Sequence, residues 1–260
     1  MKRYPLLTAA TLLAGSLLSA QAAETKQTVK NPAQAEVTAA IKKLTEKANY
    51  SWTSSSKRPE RPAGENQGRR GGPSTSTGKT ANGLVLSTRT WGDRTFETLR
   101  KGEKAAVKRE GAWTVREPRA AGDAGQGQRR GRGRGFGGSR TAPAAQAEQL
   151  LGKVAELKKD GDVYSGDLTE EGAKSLLSFG GGRRGGGDNA QRPQPKGVKA
   201  SAKFWIKDGV LVKYETNVAG SISFNGNDRD LSRVTTVEIK DVGSSKIDAP
   251  EDIIKKLTAK

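Results

Sequence analysis

The alternation of apolar and polar positions is strongest over residues 199–241, where two β-rich runs meet at Asp208-Gly209. That dipeptide tolerates the positive φ angles of a two-residue type I′ hairpin turn. With those residues as the whole loop, Lys207 faces Val210. Strict alternation then puts Trp205, Val210, Val212 and Tyr214 on one face and Phe204, Ile206 and Leu211 on the other. Both faces are partly apolar, so each needs a cover or a filling that a sheet washed by water on one side would not.

Elsewhere the pattern alternates between the two periods. Val37, Ile41, Leu44 and Ala48 recur every three or four residues and predict an amphipathic helix over 33–48, started by Asn31-Pro32. Tyr50 to Ser56 reads as a strand. Residues 76–116 read as an antiparallel meander with turns at Gly92-Asp93, Lys101-Gly102 and Glu110-Gly111. A helix is expected over 144–159, with Leu150, Leu151, Val154 and Leu157 on one stripe. A short strand over 162–168 follows. A helix over 170–178 is then capped by Thr169, with Glu170 and Glu171 in its first turn. Strands over 210–224 and 231–241 and a short closing helix after Pro250 complete an α+β order, with helices on one side of an antiparallel sheet.

The first twenty-two residues have the three parts of an export signal. Lys2 and Arg3 precede an apolar run from Leu6 to Leu18, and Ala20-Gln21-Ala22 is an A-x-A cleavage site. The run would reach roughly 20 Å as a helix, against about 30 Å for a bilayer core. The mature chain, 23–260, is therefore expected to be a single periplasmic or secreted domain. The sequence has no cysteine, hence no lipid-attachment site and no disulfide.

Net charge is +18, but three segments, 57–72, 119–140 and 180–199, hold much of it. They are rich in Gly, Arg and Pro, and they read as disordered basic loops within the domain. Arg129, Arg130, Arg132, Arg134, Arg183 and Arg184 are the candidate polyanion-binding residues. The run Gly-Arg-Gly-Arg-Gly-Phe is like RNA-binding Arg/Gly tracts, yet an exported protein meets little RNA and only Phe136 could stack a base. Nucleic acid is not the expected partner. An anionic membrane surface or envelope polyanion is the alternative to loops with no partner.

The absence of histidine as well as cysteine removes Ser-His-Asp and Cys-His catalysis and histidine or thiolate metal sites. Asp167 with Glu170 or Glu171 is the best carboxylate pair, and its place at a helix start explains it structurally. Asn225, Asn227, Asp228 and Asp230 suggest a calcium loop, but no glutamate follows at the twelfth position, and a plain turn is preferred. The chain reads as non-enzymatic, with neither cofactor nor metal.

The layout of signal, amphipathic helix, Tyr-x-Trp strand, meander and mid-chain helices is followed by two phrases. These are Phe204-Trp205-Ile206-Lys207-Asp208-Gly209-Val210-Leu211-Val212-Lys213-Tyr214 and Thr235-Thr236-Val237-Glu238-Ile239-Lys240-Asp241-Val242-Gly243. Together they resemble the periplasmic half-barrel proteins of the LolA type and their LppX/LprG relatives, over 33–260 apart from the three loops. The resemblance implies a curved antiparallel sheet, an incomplete β-barrel closed by helices, around a cavity for acyl chains. It implies a carrier that holds a lipid or a lipoprotein acyl chain. The candidate lining is Trp52, Trp91, Trp113, Phe204, Trp205, Ile206, Leu211, Val212 and Tyr214. Ordinary core packing is the competing reading for the tryptophans, and an envelope adaptor with a filled barrel and basic loops competes for the function. LppX-like members carry an anchoring cysteine that this chain lacks. No motif here maps onto the client-handling residues of LolA, so no residue role is carried over.

Overall fold

A computed structural model describes residues 31–58, 74–91, 94–116, 141–178, 195–224 and 227–259; for Trp91, Ser178, Ile222, Phe224 and 227–229 it describes the main chain alone. The expected signal segment, nearly all of the first two basic loops and most of the third lie outside the described residues. In chain order the elements are α1 (Pro32–Lys47), β1 (Tyr50–Lys57), β2 (Ser74–Ala81), β3 (Leu84–Trp91), β4 (Arg94–Lys101), β5 (Lys104–Arg109) and β6 (Ala112–Arg116). There follow α2 (Pro143–Leu151), β7 (Lys158–Asp160), β8 (Val163–Asp167), α3 (Glu170–Ser178), β9 (Pro195–Lys207), β10 (Val210–Phe224), β11 (Asn227–Lys240) and α4 (Glu251–Thr258). The strands form one open antiparallel sheet of eleven, in the order β6-β5-β4-β3-β2-β1-β11-β10-β9-β8-β7. The class is α+β.

Tight turns set the pairing. Asp208 (φ 53°) and Gly209 (φ 72°) form the two-residue loop that the sequence predicts, and Asn82-Gly83 and Glu110-Gly111 repeat it with both φ values positive. The register beyond Asp208-Gly209 differs from strict alternation. Leu211 faces Ile206, but Lys213 faces Trp205, so Val212 is an extra residue in β10. That bulge moves Tyr214 onto the face of Phe204 and Leu211 and leaves Lys213 beside Trp205. The grouping of Tyr214 with Trp205 and Val212 is thereby corrected.

Three other expectations change. The helix predicted over 144–159 stops at Leu151, with Gly152 as its C-cap. Val154 then bridges to Leu168 and residues 158–160 form β7, so Leu157 is buried without being helical. β9 begins at Pro195, inside the segment expected to be a basic loop, and Lys57 closes β1. The helices also do not share one side. α1, α2 and α3 bury Val37, Ile41, Leu44, Ala147, Leu150, Leu151 and Ala173 against Trp52, Val237, Tyr214, Phe204, Leu211 and Val218. α4 buries Ile253 and Leu257 against Leu84, Leu99 and Ala106. Register places that second cluster on the opposite face. Trp52 pairs with Gly78, whereas the adjacent Lys79 leads the row Leu86, Leu99, Ala106 and Val115.

Helix caps follow the sequence more closely. The Asn31 side chain accepts from Ala33 N at 3.0 Å and donates to the Leu157 carbonyl at 2.8 Å, tying the start of α1 to the segment before β7. Gly172 N donates to Thr169 Oγ1 at 3.1 Å, so Thr169 caps α3 as its position predicts. Arg233 donates to the Leu176 carbonyl at 2.9 Å, a cation at the negative end of that helix.

Gly78 is required by packing. The Trp52 ring lies across it, and a Cβ there would overlap both the ring and the Leu86 carbonyl. Gly78→Ala is therefore expected to destabilise the protein by about 2–4 kcal/mol in urea unfolding. A change below about 0.5 kcal/mol would show that the ring is not seated on the strand.

Candidate functional site

Two surfaces of the sheet could meet a ligand. The first lies under α1 and α2. Phe204 and Leu211 are wholly buried there, and Trp52 and Tyr214 are buried beside them, with Ile206 partly buried at the margin. The Tyr50 and Trp52 rings stand 6.2 Å apart, tilted by 60°. Phe204, Tyr214 and Val237 form one row, which Tyr164 extends into β8. Small residues on the helices, Ala33, Ala40, Ala144 and Ala147, bring the helical backbones close to these large side chains.

Two phenols supply polar ties across this apolar layer. Ala142, the N-cap of α2, makes no side-chain cap. Instead the Ala144 amide donates to Tyr50 Oη at 3.2 Å, so a sheet tyrosine does the capping. The Tyr214 hydroxyl donates to Gln146 Oε1 at 3.3 Å, while Gln146 Nε2 donates to the Thr141 carbonyl at 2.7 Å. Burial pushes the Tyr50 hydroxyl above its ordinary pKa. Burial, and then Tyr50, push that of Tyr214 far higher. Both stay protonated hydrogen-bonding groups and neither can serve as a base near neutrality.

At the rim of the same layer α1 is pinned to β7 and β8. Glu36 accepts from Lys159 Nζ at 2.6 Å and from the Tyr164 hydroxyl, and Lys159 stands 5.4 Å from the Tyr164 ring centroid. The hydrogen bonds from Lys159 and then Tyr164 hold the Glu36 carboxyl below its ordinary value of 4.5.

The second surface is the opposite face. One unbroken row crosses nine strands there. From β9 inward it runs Trp205, Lys213, Glu238 and Thr53, and it continues through Thr77, Thr88, Glu97 and Lys108 to Trp113 on β6. Each end has a lysine near an indole: Lys213 lies 4.5 Å from the Trp205 ring centroid and Lys108 lies 5.9 Å from that of Trp113. Lys108 also pairs with Glu97 at 3.0 Å. At the Trp113 end the row opens into a groove of about 640 Å³, walled by Leu86 and Trp113 and rimmed by Lys79, Asp248 and Pro250.

The expected cavity residues are thus divided among three places. Trp52, Phe204, Leu211, Tyr214 and Ile206 gather under the helices, Trp205 belongs to the uncovered row, and Trp113 lies against the α4 cluster. Val212 is the partly exposed bulge residue, and the side chain of Trp91 lies outside the described residues, as do Arg129, Arg130, Arg132, Arg134, Arg183 and Arg184. Sequence reasoning missed the Tyr50 cap, the Tyr214–Gln146 bond, the Glu36–Lys159–Tyr164 cluster and the cross-sheet row. Only the row had a trace, in the Ser/Thr-rich strands between the tryptophans. Of the carboxylate candidates, Glu170 pairs with Lys174 at 2.5 Å on the exposed first turn of α3. Among the described residues no group of three or more His, Cys, Asp or Glu could hold a metal ion, and no helix is long and apolar enough to cross a membrane. Neither a family model nor a curated protein matches this chain.

The Glu36 cluster gives a pH expectation. A carboxyl depressed in the folded state adds stability above its unfolded pKa and loses it as pH falls through the folded value. The melting temperature should therefore decline below about pH 4.5. In Glu36→Gln the cluster's share of that decline should disappear, leaving a shallower acid limb in melting curves between about pH 3 and 6. Identical acid limbs would remove the cluster from the account of how α1 is held.

Proposed function

We propose that the protein is an exported, non-enzymatic carrier that takes a lipid or lipoprotein acyl chain between the α1–α2 layer and the sheet. One observation carries the reading: helices lie on β1, β11, β10 and β9 through a continuous apolar contact, with polar ties at Asn31, Glu36, Tyr50, Tyr214 and Arg233. An acyl chain can replace apolar helix contacts at little cost, because its CH₂ groups bury as the side chains do, at about 0.8 kcal/mol each. The tyrosine ties can re-form with water or a lipid ester when the helices shift. The sequence layout that resembles LolA and LppX/LprG proteins supports the same reading, as does the export signal.

Mature protein purified after export without detergent should yield lipid at about one per chain in organic extracts read by mass spectrometry. Ala147 is wholly buried on α2. Ala147→Phe fills the layer and should lose most of that lipid while keeping its far-UV spectrum. Extracts free of lipid, together with no uptake of a fluorescent fatty acid, would end the carrier reading.

A second reading, binding of the basic segments to an anionic surface, is favoured by where those segments leave the sheet. Arg58, Ser74 and Pro195 all stand at the end of the sheet that carries the 224–227 hairpin tip. Two of the three basic segments therefore depart from one end. Burial, and then the neighbouring Arg58, lower the pKa of Arg233 there, so like charges are already crowded. The full mature chain should be retained on heparin at low salt and released between about 0.1 and 0.5 M salt, as screening shortens the reach of its charges. Retention unchanged by deletion of residues 59–73, 119–140 and 179–194 together would overturn this reading.

A further inference from the structure

We propose that the groove at Trp113, on the face opposite the helix-covered layer, binds a neutral oligosaccharide, with one pyranose ring against the indole. The groove is open and about 640 Å³ in volume, within the size of small-ligand sites. Its wall is half apolar, from Leu86, Trp113 and Pro250, and half polar, from Thr88, Glu97 and Lys108. A pyranose has the same division: C–H faces that lie on an indole, and hydroxyls at its edge that both donate and accept. Glu97 supplies acceptors, Lys108 supplies donors and Thr88 supplies both.

Charge argues for this class over the alternatives. Lys79 and Lys108 are balanced by Glu97 and Asp248 around the groove. A nucleic acid or other polyanion would meet two carboxylates. An acyl chain would strip water from the 3.0 Å Glu97–Lys108 pair and give nothing back. A neutral polyol does neither. Its hydroxyls replace the water that the pair loses.

The row that enters the groove indicates a polymer. From Trp113 the line of hydroxyls and paired charges continues through Thr88, Thr77 and Thr53 along a face that no helix covers at β1, β2 and β11 among the described residues. It reaches Trp205, about 38 Å away at roughly 4.8 Å per strand, before Val163 of β8 continues the row. That is the length of several sugar units laid across the strands.

The test uses the full mature chain, labelled with nitrogen-15, titrated separately with chitotetraose, cellotetraose and maltotetraose. The sequence has four tryptophans, so four indole N–H resonances are expected, and Trp113→Phe assigns the relevant one. At least one of the sugars should shift the Trp113 resonance saturably while that of the buried Trp52 stays in place. Trp113→Ala should weaken that binding about tenfold or more, and Glu97→Gln, which keeps the shape of the groove, should weaken it severalfold. Glu97→Gln serves alone should Trp113→Ala fail to fold. The proposal is overturned if none of the three sugars moves the resonance, if both folded variants bind as well as the parent, or if a dodecyl glycerol probe moves the resonance and the sugars do not. Because the groove and the helix-covered layer are on opposite faces, absence of lipid in extracts leaves this result unaffected.

Discussion

Strand side chains alternate with a period of two, so one inserted residue exchanges the faces of everything beyond it. In β10 that residue is Val212. Before it, Leu211 points to the helices; after it, Tyr214 and Val218 do, and Lys213 is sent to the other side. Without the bulge, Lys213 would fall on the helix-covered face and Tyr214 on the other, away from Gln146. Register at this point decides both surfaces at once. It completes the apolar bed for α1 and α2, and it puts a lysine over Trp205 at one end of the polar row.

The two faces have different chemistry because they have different neighbours. Where α1, α2 and α3 lie, the sheet offers aromatic and aliphatic bulk, and its few polar atoms are spent on helix ends. Tyr50 replaces a side-chain cap that Ala142 cannot provide. On the other face runs a row of threonines and charged residues, Glu97 and Lys108 among them as an ion pair, and Ile253 and Leu257 of α4 cover the Leu84–Leu99–Ala106 cluster beside it. Each half of the sheet thus has its own small core, joined through β1 and β2.

Much of this was legible in the residues. The three- and four-residue spacing of Val37, Ile41 and Leu44 specifies α1, Asp-Gly specifies the central turn, and Thr169 with two glutamates specifies α3. β2 was harder to see: Ser-Thr-Ser-Thr-Gly-Lys-Thr-Ala has no apolar alternation, and pairing with β1 and β3 on both sides makes it a strand. The bulge at Val212 was hidden because Val210, Val212 and Tyr214 alternate well by themselves; only the cover on the far side selects the shifted register. The stripe through Leu157 misled for a related reason, since a residue can join a core without continuing its helix. The amphipathic pattern of α4 states that it has an apolar side but not which face of the sheet will receive it. Of the candidate site, the aromatic residues were identifiable and alternation separates Trp205 from Phe204, but the placing of Tyr214, Trp52 and Trp113 depends on the bulge and on cross-strand register, which no local spacing encodes.

The position of β11 and α4 bears on the order in which the chain can fold. Ser51 pairs with Lys240, and the Leu84–Leu99–Ala106 cluster is closed by residues 247–257. Both the inner edge of β1 and the bare side of the meander must therefore wait for segments made much later. Contacts so distant in sequence form slowly, since a long loop must close before they can stabilise anything. Until then β1 presents an unpaired edge next to a meander with an uncovered apolar row, a combination prone to association.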